Sequence, residues 1–168
     1  MSSLLEETLQ AWAYARDGVI AELQNLPAAR LAVRPHAQAR TAAEIAFHIA
    51  ETGQMMAGEL SREDGNFQRK SFPQFMKEYA GNLRPTTNKA ELVRLLKRTH
   101  AEGEKKIRAA GEIRMLQTIV QFNGVPATRL TWMNHGIAHE EYHRGQLALY
   151  ARLAGETPAL TKLIRGEA

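Results

Sequence analysis

Apolar positions recur every three to four residues along most of this chain, while the strict alternation of a half-buried strand is scarce. That periodicity predicts four long helices. The first spans Ser3 to Asn25, opened by a Ser3 to Glu6 capping pair and stopped before Pro27. The second starts at Thr41, paired with Glu44 in the same way, and continues to Leu60, after which SREDGNFQRK reads as a loop. A short helix over Ser71 to Gly81 tolerates Pro73 in its first turn and is blocked by Pro85. The third long helix runs from Asn88 to Ala110, and the fourth from Thr128 to Leu153, ending at Gly155. Between them, MLQTIVQFNGVPA is the one β-like stretch, a small hairpin or extended crossover with Asn123-Gly124 as its turn signal. The expected fold is all-α, a four-helix bundle in which long connections before the second and fourth long helices permit an order other than simple up-down-up-down.

The chain has 168 residues, 44 % of them apolar, which is the scale of one domain with a buried core, so residues 1–168 are read as a single unit. With no cysteine, disulfides, thiolate ligands and cysteine nucleophiles are excluded, and any metal must be held by His, Asp or Glu. The start, MSSLLEETLQ, is acidic where a secretory signal is basic and then apolar, and no segment approaches the ~20 apolar residues of a membrane span. A cytoplasmic protein is expected, without membrane partners. Its net charge of +4 comes from scattered Lys and Arg rather than a basic stripe, which disfavours nucleic acid and modestly favours small anionic substrates.

Three of the six histidines stand at 135, 139 and 143 in the fourth long helix. At ~100° per residue they share one stripe with Trp132, Gln146, Tyr150 and Leu153, and Glu141, Arg144, Ala148 and Arg152 take the opposite, outward face. Imidazoles one turn apart, ~6 Å between Cα atoms, can converge on one cation, whereas the outer two of the three are ~12 Å apart. One adjacent pair can therefore share an ion. A third ligand must come from elsewhere, and His48 is the natural candidate, on a stripe of the second long helix with Glu44, Ile45, Thr52 and Met55. Each of these histidines is also open to a plainer reading, a hydrogen-bonded core residue or a chance surface pair. His135 is read as a pocket wall or outer support rather than a ligand, and His36 and His100 as solvent-exposed. Glu44 either caps its helix or orients an imidazole, and Gln146 and Tyr150 are candidates for contacts behind the ligands. Arg144, pointing outward, is read as a structural salt bridge or partner contact. The stripe Ala46, Ala50, Gly53 and Ala57 permits close helix approach, within the chain or between copies.

Two stretches, RPHAQARTAAEIAFHIAETGQMM and NHGIAHEEYHRGQLALYARLAGETP, resemble the DinB family of DinB/YfiT-like metalloenzymes, HEEYHRGQL being the most specific part. The resemblance implies an up-down-down-up four-helix bundle, commonly a homodimer, with a nickel, zinc or similar ion on His48, His139 and His143. It also implies reactions such as thiol-dependent S-transfer or isomerisation, with a low-molecular-weight thiol as partner. Three neutral imidazoles with an open position form a catalytic rather than a structural pattern, since structural zinc is normally closed by four protein ligands. Metal-assisted hydrolysis fits the same ligands. So does a non-catalytic, stress-associated binding module in which the ion only steadies the bundle.

Overall fold

The computed structural model describes residues 2–167. Its helices are α1 (Leu4–Asn25), α2 (Ala42–Ser61), α3 (Phe72–Ala80), α4 (Lys89–Leu116), α5 (Arg129–Leu153) and α6 (Ala159–Ile164). A two-stranded antiparallel sheet, β1 (Thr118–Val120) and β2 (Pro126–Thr128), joins α4 to α5 and pairs Ile119 with Ala127. Helix starts follow the local signals. Ser3, Thr41, Asn88 and Thr128 each accept an N–H of the first turn, and at α2 the Glu44 carboxylate returns the bond to the Thr41 N–H, closing a capping box.

α1 packs on α4 and α5, α2 packs on the same two, and the α1–α2 and α4–α5 pairs are the diagonals. Side-chain partners give the directions. Arg16 meets Glu140, and Asn25, at the far end of α1, binds the carbonyl of Thr157 just beyond α5, so α1 and α5 run the same way. Arg16 reaches Thr99 while Lys89 caps the carbonyls of Gln24 and Leu26, so α4 runs opposite to α1. The start of α2 shares a core with Leu92 and Leu96, and its end shares one with Ile107, which makes α2 parallel to α4. The order is up-down-down-up, as the resemblance implies.

Two apolar cores occupy the ends of the bundle, one around Val19, Leu23, Ile45, Ile49, Leu92 and Leu147, the other around Leu9, Trp12, Met56, Phe67, Phe75 and Met133. Polar side chains from α1, α2, α4 and α5 meet between them. The small-residue stripe of α2 serves this internal packing, with Ala46, Ala50 and Ala57 fully buried. A Cβ on Gly53 would come 2.8 Å from the Arg16 guanidinium, so glycine there lets a charged side chain of α1 cross α2.

Four expectations need correction. α4 does not stop at Ala110; Gly111 turns the backbone to φ 80°, ψ 163°, and a further helical turn continues to Leu116. α6 was not expected; Glu22 of α1 accepts from the N–H groups of Ala159 and Leu160, a long-range cap with no local signal. Leu153, placed on the inward stripe, is 63 % exposed, the core-facing positions at this end of α5 being Ala151 and Ala154 instead. His100, read as exposed, is half-buried and packs edge-on against Trp12, with ring centroids 4.5 Å apart.

Candidate metal centre

His48 sits mid-way along α2 between the buried Ile45 and Ile49, and His139 and His143 occupy successive turns of antiparallel α5. Their stripes face one another, so three imidazoles from two helices meet at one point. His139 Nε2 lies 3.2 Å from His48 Nε2 and 3.1 Å from His143 Nε2. Two imidazoles bound to a zinc-like ion at ~2.0–2.1 Å have nitrogens ~3.3 Å apart in tetrahedral and ~3.0 Å apart in octahedral geometry. The observed separations fall between those values, and among the described residues these three form the only His/Asp/Glu group close enough to share an ion.

The electrostatics match the spacing. Burial, the nearby Arg40 charge and the other two rings push His48 down to about 3. Burial and His143 push His139 down to about 4. His143 is also lowered by burial, against the opposing hydrogen bond that it donates to Gln146. All three rings are therefore neutral at neutral pH and keep lone pairs. The tautomer of His143 follows from its partner: Gln146 Oε1 lies 2.7 Å from Nδ1, and an amide oxygen only accepts, so Nδ1 carries the proton and Nε2 presents a bare lone pair to the centre. The residues present fit a divalent ion held through three neutral nitrogens.

The other candidates divide. Gln146 contacts His143 directly. Tyr150 acts at one remove: its hydroxyl donates to the Arg40 carbonyl at 2.7 Å, fixing the loop that carries Arg40 beside the histidines. Glu44 does not orient His48. One of its oxygens accepts the Thr41 N–H at 2.8 Å and the other pairs with Arg34 at 2.6 Å, so it caps α2 and stands on a groove wall. His135 is no member of the trio; it lies against Trp132 on the rim of a cavity. His36 is exposed, as expected. Arg144 makes the expected structural salt bridge, with Glu141 at 3.2 Å, but its outward placement is corrected: it is buried and reaches over the Tyr14 ring at 5.2 Å, because α1 covers that face of α5.

Sequence reasoning missed the neighbour of the trio. Glu140 accepts from Trp12 Nε1 at 2.7 Å and from Arg16 Nε and Nη2 at 2.8 and 2.6 Å, and all three residues are buried. The available signal was Arg16 itself, a charge inside the Trp12, Val19, Leu23 stripe of α1. It also missed Arg40 and Glu51, which together with His48 line an open groove of about 1040 Å³. On the other side of His48 lies a more enclosed cavity of about 350 Å³, walled by Met55, Met56, Phe72, Phe122 and Trp132 and reaching His139.

An up-down-down-up bundle whose α2 and α5 bring three neutral imidazoles to one point defines a class of helical proteins that can hold an ion between helices. The chain belongs to the DinB family, whose sequence profile matches residues 1–167. Two solved structures share the fold. A DinB-like protein from Bacillus cereus ATCC 10987 is 20 % identical with a TM-score of 0.67, over 90 % of this chain and 93 % of that one. YfiT from Bacillus subtilis, described as a probable metal-dependent hydrolase with an unusual four-helix bundle topology, is 12 % identical with a TM-score of 0.70, over 94 % of this chain and 92 % of its own. No curated protein matches. Among the described residues no helix is long and apolar enough to cross a membrane.

Proposed function

We propose that this protein is a metal-dependent hydrolase that holds one divalent ion, zinc or nickel, on His48, His139 and His143. The observation that carries the proposal is the approach of His48 and His143 Nε2 to within 3.2 and 3.1 Å of His139 Nε2, in rings kept neutral by burial. The description of YfiT, a protein of the same fold, supports the hydrolytic reading. When bound, the ion would lower the pKa of a water or thiol and polarise a substrate oxygen.

The chain's own groups supply the rest. Gln146 holds the His143 tautomer. Glu51, one turn beyond His48 on the groove wall, is half-buried, and burial raises its carboxyl pKa, so it is placed to take up and return a proton during turnover. The cavity gives one side of the centre a largely apolar wall. A second reading, thiol-dependent transfer or isomerisation, draws support from the two chambers meeting at His48, which give room for two reactants.

Metal titration of protein purified without an affinity tag tests the site. The wild type is expected to bind one zinc per chain, and His48→Ala to weaken binding at least ~100-fold, beyond the loss typical of a supporting residue. Unchanged affinity in His48→Ala would remove the basis of the proposal. The loaded protein is then assayed on ester and amide panels with and without added thiol. Turnover without thiol supports hydrolysis, and turnover that requires thiol selects the transferase reading.

A further inference from the structure

Two chambers of opposite character meet at His48, and what each can accept follows from which of its polar atoms are already engaged. The enclosed one is walled mainly by thioethers and aromatic rings, adaptable and flat surfaces suited to an apolar body, and its volume of about 350 Å³ is that of a small-molecule site. Its polar wall atoms are few and mostly spent: the Thr52 hydroxyl donates to the His48 carbonyl at 2.8 Å, and both Glu140 oxygens are taken by Trp12 and Arg16. A molecule entering this chamber finds polar partners only at the histidines.

The open groove is different. Of its two arginines, Arg34 is paired with Glu44 at 2.6 Å, whereas Arg40 is in no salt bridge among the described residues. Glu51 faces the same groove without closing an ion pair with Arg40. Tyr150 pins the Arg40 backbone on the groove wall, and the Arg40 charge is near enough to be felt by all three imidazoles. A cation next to a site suited to a divalent ion is unfavourable unless an anion joins them, and a planar guanidinium recognises carboxylates well.

We propose that the site binds an amphiphilic carboxylate, its apolar, preferably aromatic body in the Met55, Met56, Phe122 and Trp132 chamber and its anionic head at Arg40, the molecule passing the three histidines between. The proposal deepens the hydrolase reading by naming a substrate class, and it rests on that reading only for the chemistry at the centre.

Trp132 lines the chamber and serves as reporter, the other tryptophan, Trp12, being fully buried. Fluorescence titrations of the full chain, zinc-loaded and after EDTA dialysis, would use 3-phenylpropionate, 3-phenylpropan-1-ol and propionate. The acid is expected to quench emission and to bind at least ~10-fold tighter than either the alcohol, which lacks the charge, or propionate, which lacks the ring. Arg40→Gln should erase most of the preference for acid over alcohol while leaving the alcohol unchanged, and Trp132→Phe should abolish the quench. Equal binding of acid and alcohol, or an Arg40→Gln variant with the wild-type preference, overturns the proposal. So does propionate binding as tightly as the phenyl acid. Zinc stoichiometry, measured separately, keeps the two readings apart. A protein that takes no zinc yet shows the Arg40-dependent preference upholds this proposal and refutes the metal reading, and a zinc-loaded protein without the preference does the reverse.

Discussion

His139 and Glu140 are neighbours in sequence, both face the interior of the bundle, and each anchors a polar cluster in the layer between the two apolar cores. The clusters are built to opposite rules. Around Glu140 the demand is met from within: both carboxylate oxygens accept from Trp12 and Arg16, and the remaining Arg16 nitrogen donates to the Leu96 carbonyl at 2.8 Å and the Thr99 hydroxyl at 3.2 Å. Around His139 it is not met: three ring nitrogens face one another, and among the described residues no carboxylate joins them at their common point. A polar cluster that satisfies itself ties helices together, and one that leaves lone pairs converging is complete only with something else present.

The largest expected effect comes from breaking the closed cluster. Arg16→Ala leaves the Glu140 carboxylate buried without its counter-charge, and loss of one member of a buried pair costs about 3–5 kcal/mol. Urea denaturation should show that loss, whereas Arg16→Met combined with Glu140→Leu, which removes both charges, should cost far less. If the single and double variants lose the same amount, the pair is not the closed unit described.

The contrast also explains what the sequence disclosed. The open cluster was legible because ligand chemistry imposes a spacing: His139 and His143 must stand one turn apart, and His48 must lie on an inward stripe. Helix starts were legible for the same local reason, Thr41 and Glu44 being three residues apart. The closed cluster was hidden because a helical wheel assigns charges to water, and only the parallel packing of α1 on α5 reveals that Arg16 and Glu140 satisfy each other inside. Arg144 misled in the same way, since it is buried by Tyr14, a residue of another helix. His100 meets Trp12, and α6 is capped by Glu22; both depend on partners far away in the chain.

Gln146 offers a smaller and sharper probe of the open cluster, because it touches the histidines from behind and belongs to neither core. Gln146→Leu removes the acceptor that keeps the proton on His143 Nδ1, so its Nε2 spends part of the time protonated and unable to bind an ion. Zinc affinity, measured by competition with a chelator, should fall roughly 10-fold, with the stability of the metal-free protein changed little. An unchanged affinity would mean that the tautomer is set by something other than Gln146.

A pH dependence tests the open cluster as a whole, and its sign follows from the lowered pKa values. His48 and His139 titrate at about 3 and about 4 in the fold, against an ordinary value of 6.5 in the unfolded chain. Between those limits the unfolded state binds protons that the native rings refuse, so stability falls as pH drops below 6.5 and levels off once the folded rings also protonate near 4 and 3. His100 is lowered by burial as well and adds to the same window, while Glu59 and Glu78, lowered by Arg69, lose their contribution only below the ordinary carboxylate range. Urea midpoints of metal-free protein between pH 7 and 5 read mainly the histidines, the raised carboxyl of Glu51 acting in the opposite direction, and a His48→Ala/His139→Ala variant separates these two rings from His143 and His100. The wild type should lose stability on acidification more steeply than the double variant, and bound zinc should steepen the fall further, since protons then compete with the ion for the same lone pairs. Parallel curves for the two metal-free proteins would show that the folded rings take up protons as readily as free imidazole, leaving the trio no more open than the pair beside it.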